Sequence, residues 1–369
     1  MTVYSKHIQT VDLHTHYLES GNISKDIVLL LHGNVSSSDF FKPFMERFGA
    51  DYHVVAPDMR GYGNSETKAV DATKGLKTFS EDLHHFLTAI NPNHKKVHLL
   101  GWSLGGGVIL QFTADHPTHI ASITLESPMS PFGFGASINT GLHLKTSDDD
   151  FAGSGGGAVN PAFVDSIRTH DGAITSNQPE GLKASPQFYA RSTMNGLYFK
   201  MVNNQTLLQR GIIDQGTEDL YTESMFNTKL GEDNYPGNSA ATNHWPGMAP
   251  GDKGINNAIS AKYCDATAFA YAKLSIPVLW IRGADDLIVS DTSFLDINNL
   301  GKMGAIPGWP GNDTHPPQPM VTQMRALLEE YKKNGGSYTE VIFEECGHSP
   351  HIEKEQKFKE LFLDFITKA

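Results

Sequence analysis

Apolar and polar residues alternate over His7–Leu13 and His14–Leu18, which predicts an antiparallel hairpin near the start of the chain. The pattern then changes. Ile27-Val28-Leu29-Leu30-Leu31 is a continuous apolar run, as expected of a strand buried on both faces, and it ends at His32-Gly33-Asn34. A helix is predicted from Asp39, offered as its N-cap, to about Phe48. His53–Ala56 reads as the next strand and breaks at Pro57-Asp58. Phe79, Leu83, Phe86, Leu87 and Ile90 fall on one side of a helix. Val97–Leu100 is a strand, a helix follows from Leu104 to about Ala114, and Ile120–Leu125 is a further strand. Strands alternating with helices predict a mostly parallel sheet flanked by helices.

After Ser127 the periodicity fades. From Pro128 to about Leu274 no buried strand is evident, and Gly, Asn, Ser, Thr and Asp dominate. Helical patches are predicted near Asn160–His170, Ser185–Phe199 and Asn203–Ile213. The sheet pattern resumes at Pro277–Ile281. It continues through a helix over Met320–Lys333, a strand over Tyr338–Phe343 and a closing helix over Gln356–Thr367. The irregular stretch Thr292–Pro319 is long for a connection, and such loops are mostly functional or disordered. The predicted fold class is therefore α/β: a core formed by residues 1–130 and 275–369, interrupted by a mainly helical cap over 131–274.

Composition narrows the function classes. The 369 residues are 39% hydrophobic and 19% charged, ordinary for a chain with a core. The net charge of −12 argues against a nucleic-acid partner and against adhesion to an anionic membrane. The N-terminus lacks a signal-peptide layout and no apolar run approaches a membrane span, so a cytoplasmic protein acting on a small molecule is expected. Cys264 and Cys346 are too few for a disulfide framework, and a single bridge between them stays open. Oligomeric state is not readable.

The chemistry concentrates in Gly101-x-Ser103-x-Gly105, placed between a predicted strand and a predicted helix. This is the context of a nucleophile elbow, a turn so tight that small residues must flank the serine. A serine hydroxyl needs a base to attack at neutral pH. Among 17 histidines, His348 in Gly347-His348-Ser349-Pro350-His351 follows the last strand; His351 is its competitor and reads better as a support of the loop. The base needs an acid to hold its orientation. Asp286 follows the strand Val278–Ile281 and is preferred over Asp285; Glu126, at the end of an earlier strand, is the alternative. The backbone N–H groups of Leu104 and Asn34 are expected to form the oxyanion hole, with His32 bracing that loop.

These residues resemble the α/β-hydrolase superfamily. The resemblance runs through His32-Gly33-Asn34, Asp58-Met59-Arg60-Gly61-Tyr62-Gly63-x-Ser65, Gly101–Gly105, Gly283–Val289 and Gly347–Glu353. The chain order Ser103, Asp286, His348 is the order of that superfamily. The resemblance points to its cap-bearing branch, which includes esterases, epoxide hydrolases, haloalkane dehalogenases, haloperoxidases and carbon–carbon bond hydrolases. Epoxide hydrolases and dehalogenases carry Asp at the elbow; Ser103 implies acyl chemistry instead. In the same branch the Asp58–Ser65 segment is structural. The expected function is a cofactor-free serine hydrolase of an ester, lactone or related acyl bond in a small, hydrophobic molecule. An acyltransferase or perhydrolase with the same triad, and a non-catalytic receptor, are the alternatives.

Four other features are set aside. Gly153-Ser154-Gly155-Gly156-Gly157 lacks a phosphate loop's ending and reads as a flexible cap loop. Asp148-Asp149-Asp150 reads as a solvated face, and His14 and His16 as hairpin surface, so no metal site is expected. Trp245, Trp309, Phe132, Phe134 and Tyr198 are candidates to line a pocket.

Overall fold

The computed structural model describes residues 1–170 and 189–369. Eight strands form one sheet: β1 Tyr4–Gln9, β2 His14–Gly21, β3 Ile27–Leu31, β4 His53–Pro57, β5 Val97–Trp102, β6 Ile120–Glu126, β7 Pro277–Gly283 and β8 Ser337–Phe343. Their order is β1-β2-β4-β3-β5-β6-β7-β8. β1 pairs antiparallel with β2, and β2 antiparallel with β4; every later pairing is parallel. The predicted hairpin and parallel sheet are both present. Every residue of β3, β4 and β5 is buried, which explains their unbroken apolar runs.

Helices α1 Lys42–Phe48, α2 Lys77–Ile90, α3 Leu104–Asp115, α4 Pro161–Thr169, α5 Gln215–Phe226, α6 Met320–Lys333 and α7 Glu355–Lys368 accompany the sheet and the insertion. α2 buries Phe79, Leu83, Phe86 and Leu87, the stripe its spacing predicts. α3 is buried almost throughout, because it sits directly behind the centre of the sheet. The helix expected from Asp39 is divided. Ser37, not Asp39, caps a 3-10 turn over Ser38–Phe41, and α1 begins at Lys42.

Between β6 and β7 the chain leaves the sheet. Besides α4 and α5 it holds four-residue helical turns at Ala190–Thr193, Ile255–Ala258 and Ala268–Tyr271. Strands there are two or three residues long, such as Ser239–Ala241 paired with Met248–Pro250. Asn160 and Asp214 cap α4 and α5 through their side chains. The helix expected over Asn203–Ile213 is a series of turns instead. The start of the one expected over Ser185–Phe199 lies outside the described residues; its later part is helical from Ala190 to Tyr198. Both cysteines are free and buried. Among the described residues no helix is long and apolar enough to cross a membrane.

Two polar readings are corrected. His16 is buried, because its Nδ1 donates to Asp58 Oδ2 at 2.7 Å, a partner 42 residues away. The glycine run at 153–157 is packed rather than loose: a Cβ on Gly156 would stand 2.5 Å from the carbonyl oxygen of Ala249.

Candidate active site

Ser103 sits between β5 and α3 with φ 57° and ψ −117°, a conformation that ordinary side chains rarely adopt. The surroundings over-determine it. Ser103 N–H donates to Glu126 O at 2.9 Å, and Met129 N–H donates to Ser103 O at 3.1 Å. The flanking glycines are sterically required. A Cβ on Gly101 would meet Gly105 O at 2.5 Å, and one on Gly105 would meet Leu31 O at 2.2 Å. The turn thus lifts the serine off the end of β5 and aims the N-terminus of α3 toward it.

His348 follows β8 and Asp286 follows β7. Their parallel pairing brings both loops to the same end of the sheet. His348 Nδ1–H donates to Asp286 Oδ2 at 2.7 Å, while Asp286 Oδ1 accepts the N–H groups of Ile288 and Val289 at 2.8 and 2.9 Å. Asp285 turns away and pairs with Lys200 at 2.9 Å. The competing residues pair with each other. His351 Nδ1 donates to Glu126 Oε1 at 2.8 Å, and its Nε2 faces Phe40 O at 3.3 Å. Both side chains are fully enclosed, so that pair braces the loop from below.

The loop after β3 faces the serine: a Cβ on Gly33 would lie 3.1 Å from Ser103 Cβ. His32 holds this loop, with Nδ1 donating to Gly33 O at 2.8 Å and Nε2 accepting Met59 N–H at 3.0 Å. Burial pushes the His32 pKa down, so the ring stays neutral and fills both roles. The Asn34 side chain is held by Tyr62 Oη at 2.6 Å and by Asn256 Oδ1 at 3.1 Å. Among the described residues neither Asn34 N–H nor Leu104 N–H donates a hydrogen bond, which leaves both for a ligand.

Three residues escaped the sequence reading. Trp102, inside the elbow motif itself, donates from Nε1 to His348 O at 2.8 Å. Glu353 accepts the N–H groups of Gly347, Ser349 and Lys200, which fixes the histidine loop. Burial pushes the Glu353 carboxyl up to about 7 even against those hydrogen bonds. Tyr198 donates to Asn34 O at 3.0 Å, and its ring lies 6.2 Å from that of His348. It was a pocket candidate with no assigned partner. Trp245 and Trp309 instead pack against Gly301. The sequence signals for these three were the place of Trp102 in the elbow motif, the place of Glu353 at the end of the Gly347–Glu353 run and the candidacy of Tyr198 for a pocket, none of which named a partner.

Comparison with known proteins decides the family. The family model for the alpha/beta hydrolase fold matches residues 26–311. The chain belongs to the α/β-hydrolase fold family. Among curated proteins, this α/β-hydrolase chain is similar to a monoacylglycerol lipase of Xenopus laevis, 34% identical over 105 residues. That match covers 28% of this chain and 31% of the relative. Among solved structures, an esterase from Exiguobacterium antarcticum superposes with a TM-score of 0.58 at 16% identity, over 99% of this chain and 100% of that one. The epoxide hydrolase CorEH reaches the same TM-score, 0.58, at 18% identity over 100% of this chain and 99% of that one. Shape alone therefore does not select the chemistry of an α/β-hydrolase fold.

Proposed function

We propose that the protein is a serine hydrolase that cleaves a carboxylic ester or related acyl bond of a small hydrophobic molecule through an acyl-enzyme. The observation that carries this reading is the 2.7 Å hydrogen bond from His348 Nδ1 to Asp286 Oδ2, set at the end of the sheet where Ser103 occupies the elbow. With Nδ1 committed to Asp286, His348 Nε2 carries the lone pair and acts as the general base.

In this mechanism Ser103 Oγ attacks the carbonyl carbon as its proton moves to His348 Nε2. The imidazolium is stabilised by Asp286. The tetrahedral oxyanion is held by the N–H groups of Asn34 and Leu104, each such donor contributing about 3 kcal/mol to the transition state. Collapse expels the alcohol, which takes the proton from His348. Water then attacks the acyl carbon while giving a proton to the same nitrogen, and the second tetrahedral intermediate expels Ser103 Oγ, which takes that proton back as the acid leaves. Side chains and backbone suffice for this route. Residues 1–130 and 275–369 supply the machinery, and the insertion over 131–274 covers it and selects substrate.

Two further observations support an ester substrate. The elbow carries Ser where an alkyl-transfer enzyme of this fold needs Asp, and the curated relative noted above is named for lipase activity. A stopped-flow reaction with p-nitrophenyl acyl esters tests the reading. It predicts a burst of one nitrophenol per chain and an acyl group on the peptide containing Ser103. Undiminished turnover by Ser103→Ala would overturn it.

A further inference from the structure

Away from Ser103, the Asp148–Asp150 run departs from a solvated face. The Asp148 side chain is 4% exposed and accepts hydrogen bonds from Ala152 N at 2.6 Å, Gly153 N at 3.0 Å and Ser147 Oγ at 2.9 Å. These bonds wrap the following glycine turn around the carboxylate. The Asp150 carboxylate faces it, and oxygens of both lie within 4.8 Å of each other and of a His244 ring nitrogen. His244 Nδ1 stands 3.0 Å from Asp150 Oδ1.

A fourth group points the same way. His315 is 8% exposed, and its Nε2 has no hydrogen-bond partner. That nitrogen is directed at Asp148 Oδ2, 4.0 Å away, while Nδ1 is placed against Thr314 Oγ1 at 3.0 Å. The ring thus places a buried nitrogen without a partner against the acidic turn. A buried imidazole nitrogen without a hydrogen-bond partner, directed at a carboxylate that a second carboxylate and a second imidazole also approach, is the arrangement of metal ligands.

We propose that Asp148, Asp150, His244 and His315 form a structural binding site for a divalent transition metal, zinc by donor type. Two imidazoles and two carboxylates are a nitrogen-rich set of four, which favours zinc over calcium. In a tetrahedral zinc site with bonds of about 2.1 Å, neighbouring donor atoms lie about 3.4 Å apart. Donor atoms of Asp148, Asp150 and His244 lie within 4.8 Å of one another, and His315 Nε2 stands 4.0 Å from Asp148 Oδ2, so the four would draw together on a bound ion. The four ligands come from three distant stretches of chain. Asp148 and Asp150 lie early in the insertion and His244 late in it, while His315 belongs to the long loop between β7 and α6. The metal would tie that loop to the insertion. It stands apart from the chemistry at Ser103.

Titration of the EDTA-stripped full chain with Zn²⁺, Co²⁺ and Ca²⁺ tests the site. The expected result is one equivalent of Zn²⁺ bound, Co²⁺ giving visible bands of four-coordinate intensity, and no comparable affinity for Ca²⁺. Saturating Zn²⁺ should raise Tm by about 3–5 °C, reversed by chelator. His315→Gln and His244→Ala should each weaken Zn²⁺ by at least about tenfold and abolish the Tm shift. His244 is half-exposed, so His244→Ala keeps the test valid if His315→Gln fails to fold. The chain carries other histidine pairs, such as His84 and His116 stacked at 4.0 Å. Stoichiometric binding that both variants leave unchanged would therefore overturn the proposal, as would no saturable Zn²⁺ binding or a preference for Ca²⁺.

Discussion

The indole N–H of Trp102 donates to the carbonyl oxygen of His348 at 2.8 Å, joining the residue before the elbow serine to a loop 246 positions later in the chain. The bond fixes the His348 backbone relative to the elbow, so Ser103 and His348 share one frame. Trp102→Phe keeps the ring packing and deletes the donor. It is expected to lower kcat about tenfold with KM little changed, since a small misplacement of a general base is felt in the chemical step. Steady-state kinetics with a p-nitrophenyl ester check this.

The buried pairs His348–Asp286 and His351–Glu126 should separate by phenotype. Asp286→Asn is expected to cut kcat by about 10⁴ while leaving the melting temperature nearly unchanged, because the amide no longer holds the base in its working tautomer. Glu126→Gln should do the reverse. It disturbs an enclosed pair with His351, destabilising by about 3 kcal/mol, and folded enzyme should retain its kcat. Urea denaturation beside kinetics on each variant separates the roles.

This division shows what sequence alone reaches. The strands of the sheet were legible because burial on both faces writes an unbroken apolar run, as in Ile27–Leu31. Ser103, Asp286 and His348 were legible because each follows its own strand in a fixed chain order. Long-range polar pairing leaves no periodic trace. His16 looked like surface because Asp58 lies 42 residues on, and Asp148 looked solvated because its partners form only once the glycine turn folds back. The Ser37 cap was missed because Ser36, Ser37, Ser38 and Asp39 are all cap-forming types and only the backbone angles choose among them. The turns at 203–213 carry helical spacing without a helix, because Asn203, Asn204 and Gly211 take positive φ and break the run.

Stability should fall with acid through His98. Burial on β5 pushes its pKa from 6.5 down to about 4, and Nδ1 is paired with Ser122 Oγ at 2.8 Å. A base depressed in the folded state contributes stability that is complete above pH 6.5 and is lost as pH falls toward 4, because the unfolded chain takes up the proton first. The wild type should lose about 1–2 kcal/mol more than His98→Gln between pH 6.5 and 5 in urea denaturation. Equal pH slopes would show that His98 does not titrate this way.

Gly33→Ala should impair catalysis more than folding. The new Cβ would stand 3.1 Å from Ser103 Cβ, pressing the oxyanion loop away from the serine by a few tenths of an ångström. A loss of about tenfold in kcat with a small change in Tm is expected, measured by initial rates and thermal melts. By contrast, Gly105→Ala would place its Cβ 2.2 Å from Leu31 O, and its effect should appear as lost folded protein.

The most direct test of the central claim is labelling of the folded chain with a fluorophosphonate, followed by peptide mass spectrometry. The account predicts one adduct per chain, on Ser103, formed rapidly in wild type. His348→Ala should slow it severely, and Ser103→Ala should abolish it. An unlabelled Ser103 in folded protein, or an adduct that survives Ser103→Ala, would contradict it.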